Sequence, residues 1–239
     1  MHLDVTELRQ FYETGLGTVA RQGIGNRIRE VWPDIRALRL LGLGFATPYL
    51  ELFQEEAELA LALMPSGQGV IHWPSQGPGQ VALGFEAEIP LADESIDRVL
   101  LVHSLESTEH VRQMLREIWR IMPSTGRLLA VVPNRRGIWA RLERTPFGHG
   151  HPFSPPQLVR LLRENMFLPV ATRSCLFMPP MKSRVMLRSA STLEKIGRHG
   201  IGVGGVLVVE AEKQIYAISP TLAPVRKRAV AAVSLTDRF

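Results

Sequence analysis

One cysteine, Cys175, occurs in 239 residues. An internal disulfide is therefore excluded, and a lone cysteine reads as a buried strand residue rather than a nucleophile. No apolar run approaches the roughly 18–20 residues that a membrane helix requires, so no membrane span is expected. Met1-His2-Leu3-Asp4 offers neither a basic n-region nor an apolar h-region, and the expectation is a cytoplasmic protein. No Gly-Lys-Ser/Thr follows a glycine-rich turn, which removes a P-loop, and no internal repeat is evident. The most informative absence is acidic: no Asp or Glu lies between Glu58 and Glu86. A dinucleotide-binding fold places an acid about 20 residues beyond its glycines to hold the ribose hydroxyls, so a nicotinamide oxidoreductase is disfavoured.

Hydrophobic residues make up 45% of the chain, enough for a proper core in one domain of this length. We read that domain as residues 1–219, with a helical cap over 1–35 and a basic tail over 220–239. Charge is unevenly placed: residues 1–110 carry a net −9 and residues 111–239 a net +14. The basic half either meets an anionic partner or neutralises the acidic half within the domain.

The chain is organised around Leu40-Leu41-Gly42-Leu43-Gly44-Phe45-Ala46-Thr47-Pro48. An apolar strand runs into two glycines one residue apart and then into a helix start, with Thr47 as the expected cap and Pro48 in the first turn. Such a turn lets backbone approach a ligand, or it is simply a tight strand-to-helix connection. Before it, Asp4-Val5-Thr6-Glu7 fits a capping box, and Gly15-Leu16-Gly17 divides that helix from a second running from about Thr18 to Trp32. Tyr12 and Arg21 stand where a covering helix could reach a ligand; core packing and solvation are their plainer roles.

Further strands are expected over 58–65, 80–85, 97–103, 127–133, 170–178 and 205–219. A helix capped by Thr108 buries Val111, Met114, Leu115, Ile118 and Met122, and another opens at Ser154-Pro155-Pro156. A basic helix is expected from Lys182 to His199. Alternating strands and helices argue a doubly wound, mostly parallel α/β sheet, whose ligands bind at the carboxyl ends of the strands.

Ile89-Pro90-Leu91-Ala92-Asp93-Glu94-Ser95-Ile96-Asp97-Arg98-Val99, then His103-Ser104-Leu105-Glu106, resembles the corresponding stretch of class I S-adenosylmethionine-dependent methyltransferases. So does Leu115-Arg116-Glu117-Ile118-Trp119-Arg120-Ile121-Met122-Pro123 through Gly126-Arg127-Leu128 to Pro133-Asn134. The resemblance covers residues 37–134 and points to the members that methylate small molecules, quinones and lipids. It implies a seven-stranded Rossmann-like sheet with an antiparallel C-terminal strand, N-terminal helices, and methyl transfer from S-adenosylmethionine to a small or anionic acceptor. Carried over by position, Gly42 and Gly44 pass beneath the methionine part of the cofactor. Met64 and Gln68 meet the ribose, Phe85 and Glu86 the adenine, and His103 and Glu106 border the methyl group. The usual ribose-binding acid is replaced by Met64. If the acceptor needs deprotonation, His103 is the first candidate base, because an imidazole titrates near neutrality, and Glu106 follows.

After the fifth expected strand, residues 134–154 form a long segment rich in Arg, His and aromatics, where these methyltransferases keep their substrate-determining part. Arg135, Arg136, Trp139, His149 and His151 could clasp an anionic, partly apolar acceptor. They could equally dock an acidic protein surface with Trp139 as anchor. In that alternative the chain is a methyltransferase-like subunit of low or no activity. His149 and His151 lack neighbouring ligands for a metal, and no RNA-binding signature is present.

Overall fold

In the computed structural model the described residues are 3–181, 183, 192, 194, 197 and 203–215. The basic segment 182–199, apart from those few positions, and the tail 220–239 lie outside them. Seven strands form one sheet in the order β3-β2-β1-β4-β5-β7-β6: β1 (Arg39–Gly44), β2 (Leu59–Pro65), β3 (Val81–Gly84), β4 (Arg98–Val102), β5 (Arg127–Pro133), β6 (Phe167–Cys175) and β7 (Val206–Lys213). The first five run parallel, and β7 is antiparallel to both β5 and β6. Strand order reverses between β1 and β4, which opens a crevice at their carboxyl ends.

The central strands are apolar because both faces are covered. Alternate residues divide between two cores. Leu40, Leu100, Val102, Leu129 and Val131 face one layer with α1 (Val5–Glu13), α2 (Gly15–Val31) and α3 (Thr47–Leu50). Leu41, Val99, Leu101, Leu128 and Ala130 face the other, with α4 (Val111–Ile121) and α5 (Pro155–Glu164). In α4, Met114, Leu115, Ile118 and Ile121 are the buried stripe. Among the described residues no helix joins β2 to β3 or β3 to β4. None is long and apolar enough to cross a membrane.

Several local expectations shift. Asp4 caps α1 as expected, but its Oδ1 accepts from the Thr6 amide at 2.7 Å and no capping box with Glu7 forms. The division falls at Thr14, which caps α2 by accepting from the Gly17 amide at 3.0 Å. The glycines therefore lie inside α2 rather than before it. A Cβ on Gly17 would sit 1.9 Å from the Phe11 carbonyl oxygen, so this glycine lets α2 start against the end of α1. Thr47 is the first residue of the four-residue α3 rather than its cap, which is Ala46. Thr108 does not cap α4; His110 holds that position without a side-chain cap. Strand β6 starts at Phe167, earlier than expected, because Pro169 sits at a register shift of an edge strand, where a missing amide donor is tolerated.

Candidate active site

The glycine turn is shaped by its own neighbours. Gly44 has φ +82°, and a Cβ there would lie 2.3 Å from the Val102 carbonyl oxygen. A Cβ on Gly42 would press on the Ala46 and Leu50 side chains at 2.7 and 2.8 Å. Close packing of β1 on β4 and on the following turn already requires both glycines.

Beside this turn, at the end of β4, His103 adopts φ 50°. That left-handed conformation is sparse for a side-chain-bearing residue, although histidine tolerates it better than most. It turns the imidazole back beneath α1. Nε2 is 2.9 Å from the Tyr12 hydroxyl, and the Tyr49 hydroxyl donates to Tyr12 at 3.0 Å. On the other side, Nδ1 stands 3.3 Å from Glu106 Oε1, in ion-pair range. That contact lacks hydrogen-bond geometry, so neither carboxylate oxygen of buried Glu106 has a hydrogen-bond donor. Burial raises the phenols of Tyr12 and Tyr49 well above their ordinary range, and both remain protonated at neutral pH.

An aromatic shell surrounds this group. Phe147 lies 4.9 Å from the His103 ring and Phe45 stacks on Tyr12 at 5.6 Å. Helix α1 is tied over the crevice by the Val5 amide, which donates to the Gln68 carbonyl at 2.8 Å, and by fully buried Leu8. The segment after β5 closes the far side. Its His151 amide donates to the Glu106 carbonyl at 2.8 Å, and Gly150, at φ +74°, passes so close that a Cβ would be 2.3 Å from that oxygen.

An open cleft of about 220 Å³ lies at the ends of β2, β3 and β4, lined by Ser66, Gly67, Phe85, Glu86, Ser107 and His110. Phe85 is 41% exposed there and meets the His110 ring edge-on at 5.2 Å. Glu86 is buried and accepts from the Thr108 hydroxyl at 2.7 Å. Gln68 is buried too, and its Oε1 has no partner.

The structure thus gathers Gly42, Gly44, Gln68, Phe85, Glu86, His103 and Glu106 at the carboxyl ends of β1 to β4. Met64 differs: it is fully buried in the core cluster that also holds Ala62 and Met178, so it presents no polar atom and no free surface to a ribose. Trp139 also differs. It is fully buried, with Nε1 donating to the Met178 carbonyl at 2.7 Å, and cannot serve as a surface anchor. A Cβ on Gly205, just before β7, would lie 2.2 Å from its ring, which shows how closely the chain there receives it. Arg135, Arg136 and His151 are exposed, and the His149 ring bonds the Glu143 carbonyl. Among the described residues no cluster of three or more His, Cys, Asp or Glu could hold a metal.

Sequence reasoning did not foresee three members of this arrangement. The sequence puts Tyr12 on a covering helix without its partner, reads Thr108 as a helix cap, and gives Phe147 no role within the segment 134–154. Only the aromatic richness of 134–154 hinted at Phe147.

Comparison with known proteins agrees with this geometry. Residues 42–130 match a family model described as a methyltransferase domain. A SAM-dependent methyltransferase from Thermotoga maritima superposes with a TM-score of 0.62, at 18% identity, over 88% of this chain and 96% of that one. The match over residues 42–130 is to a methyltransferase domain, and the chain shares the fold of that solved structure. A Haloferax volcanii methyltransferase, solved in complex with the Trm112 methyltransferase activator, aligns with a TM-score of 0.57 at 13% identity, over 77% of this chain and 85% of that one. The methyltransferase-like protein YrhH of Bacillus subtilis is 30% identical over 63 residues, 26% of this chain. That match spans only about a third of the relative, 35% of its length.

Proposed function

We propose that this protein transfers a methyl group from S-adenosylmethionine to a small or anionic acceptor. The observation that carries the reading is the open cleft at the ends of β2, β3 and β4, lined by Phe85 and Glu86 and lying within the matched segment. The residues suit this cofactor. Phe85 offers an exposed aromatic face for a base. Gln68 Oε1 is an unspent acceptor for a ribose hydroxyl, and Glu106 is a buried carboxylate without a hydrogen-bond donor, which favours a nearby cation. When bound, S-adenosylmethionine supplies an electrophilic methyl on a positively charged sulfur.

Methyl displacement is in-line, and much of its acceleration comes from holding acceptor and methyl aligned. For an acceptor that must lose a proton, His103 Nε2 takes it up by way of the Tyr12 hydroxyl that bonds it at 2.9 Å, and Glu106 faces the resulting imidazolium across 3.3 Å. Titration calorimetry with S-adenosylmethionine and with its demethylated product tests the reading. Micromolar dissociation constants are expected, about −8 kcal/mol; no heat with either compound at millimolar concentration overturns it.

The exposure of Arg135 and Arg136 favours a second reading, in which this surface docks an acidic partner protein. The Haloferax neighbour supports it as a member of the fold that works with a protein activator. Replacement of both arginines by alanine would then break a stoichiometric complex while leaving cofactor binding intact.

A further inference from the structure

We propose that Tyr12, delivered by the N-terminal helix, is a positioning residue that together with Glu106 fixes the tautomer of His103 and so makes Nε2 its basic nitrogen. The inference rests on the methyltransferase reading for its purpose and on geometry alone for its content. Three hydrogen-bonding groups form a chain with one self-consistent direction. Nδ1 faces a carboxylate oxygen at 3.3 Å, with both groups almost fully buried. A lone pair there would repel the carboxylate, whereas an N–H is attracted to it. The carboxylate thus favours the proton on Nδ1, and a hydroxyl that donates to Nε2 adds to the same preference. The hydroxyl 2.9 Å from Nε2 is that of Tyr12, which donates its proton there and uses its oxygen to accept from Tyr49. The opposite direction would leave Nε2–H donating to Tyr12 and the bare Nδ1 against Glu106.

The consequence is coupling between helix docking and the state of the base. Tyr12 reaches His103 across 91 positions of sequence, and it does so only because α1 is seated by Val5, Leu8 and the Gln68 carbonyl. With α1 displaced, Nε2 loses its donor and the ring is free to turn from its left-handed perch. Tyr49 lies on the far side of Tyr12 and stacks edge-on to it at 6.0 Å, so it holds the phenol without touching the imidazole.

Long-range proton–nitrogen spectra of the nitrogen-labelled protein, at a pH where His103 is neutral, read the tautomer directly. In the unaltered protein, Nδ1 is expected to be the protonated nitrogen and Nε2 the bare one. Tyr12→Phe keeps the ring and removes the donor; the Nδ1–H preference should then weaken, with Nε2–H signal appearing. Tyr49→Phe should leave the preference in place. Protonation at Nε2 in the unaltered protein overturns the proposal whatever the variants do. So does an unchanged tautomer in a folded Tyr12→Phe protein. The spectra need neither cofactor nor acceptor, so a failure of cofactor binding and a failure of this proposal are told apart.

Discussion

Replacing Gly44 by alanine separates two reasons for a glycine at the turn after β1. If the glycine exists to admit a ligand, the variant keeps its stability and loses affinity. The packing indicates otherwise: the added Cβ would meet the Val102 carbonyl oxygen at 2.3 Å, the Ser104 Cβ at 3.0 Å and the His103 carbonyl at 3.1 Å. The two carbonyls are backbone of β4 and its end, held in the sheet by the β1 pairing, so they cannot step aside cheaply. Left-handed backbone at φ +82° adds about 1–2 kcal/mol for an L residue. Displacing packed neighbours adds about 1–3 kcal/mol. The narrower unfolded ensemble of alanine returns about 0.4–1 kcal/mol. The net loss is about 1–4 kcal/mol.

Gly77 supplies the control. It has nearly the same φ, +88°, but nothing within 4 Å of its would-be Cβ. Gly77→Ala should cost only the backbone part, about 1 kcal/mol after the unfolded-state return. Urea unfolding without any ligand measures both. With a slope of about 2 kcal/mol per molar, Gly44→Ala moves the midpoint down by about 0.5–2 M, and further than Gly77→Ala. A Gly44→Ala midpoint equal to or above that of Gly77→Ala would refute the packing argument and return the glycine to the ligand.

Trp139→Ala should lower stability by about 3–5 kcal/mol, as expected for a fully buried indole that also loses its bond to the Met178 carbonyl. The Arg135→Ala, Arg136→Ala double variant should stay within about 0.5 kcal/mol of the parent in the same unfolding assay. Phe85→Ala should weaken S-adenosylmethionine binding by about 5- to 100-fold in calorimetry, the loss of one base–aromatic stack of about 1–3 kcal/mol. The Arg120 guanidinium lowers the Glu117 carboxyl, helped by the Ile89 amide and opposed in part by burial. A depressed folded-state pKa stabilises above the unfolded value of about 4.3, and the benefit fades as pH falls through the folded value. The stability gap between the parent and Glu117→Gln should therefore be present at pH 7 and shrink below pH 4; a gap unchanged with pH would count against the Arg120 pairing.

What the sequence reveals here depends on the range of the interaction. The parallel strands were legible because each is a nearly unbroken apolar run, and α4 because Val111, Met114, Leu115, Ile118 and Met122 repeat at helical spacing, although Ile121 rather than Val111 completes the buried stripe within the helix. The glycine turn, His103 and Glu106 were legible because they sit at strand ends, where a doubly wound sheet puts its crevice. Trp139 was misjudged for a physical reason. An aromatic among arginines looks like a surface anchor, and nothing local shows that Gly205, just before β7, is bare to receive it. Thr108 was misjudged similarly, since a threonine before a helix is a good cap unless another partner claims its hydroxyl, here Glu86.

The loss of the ribose acid also reads differently once the fold is known. In sequence, Met64 in place of an acid weakens the case for a cofactor. In the structure, Met64 lies in the core, and the polar atom left over at the end of β2 is Gln68 Oε1, in the turn that α1 grips through the Gln68 carbonyl. The same helix carries Tyr12 to His103. A ligand that engages the Gln68 amide and an acceptor that approaches His103 would thus both act on the seating of α1. Docked α1 supplies the hydrogen bond on Nε2, so a ligand that shifted this helix would also take the donor from the base.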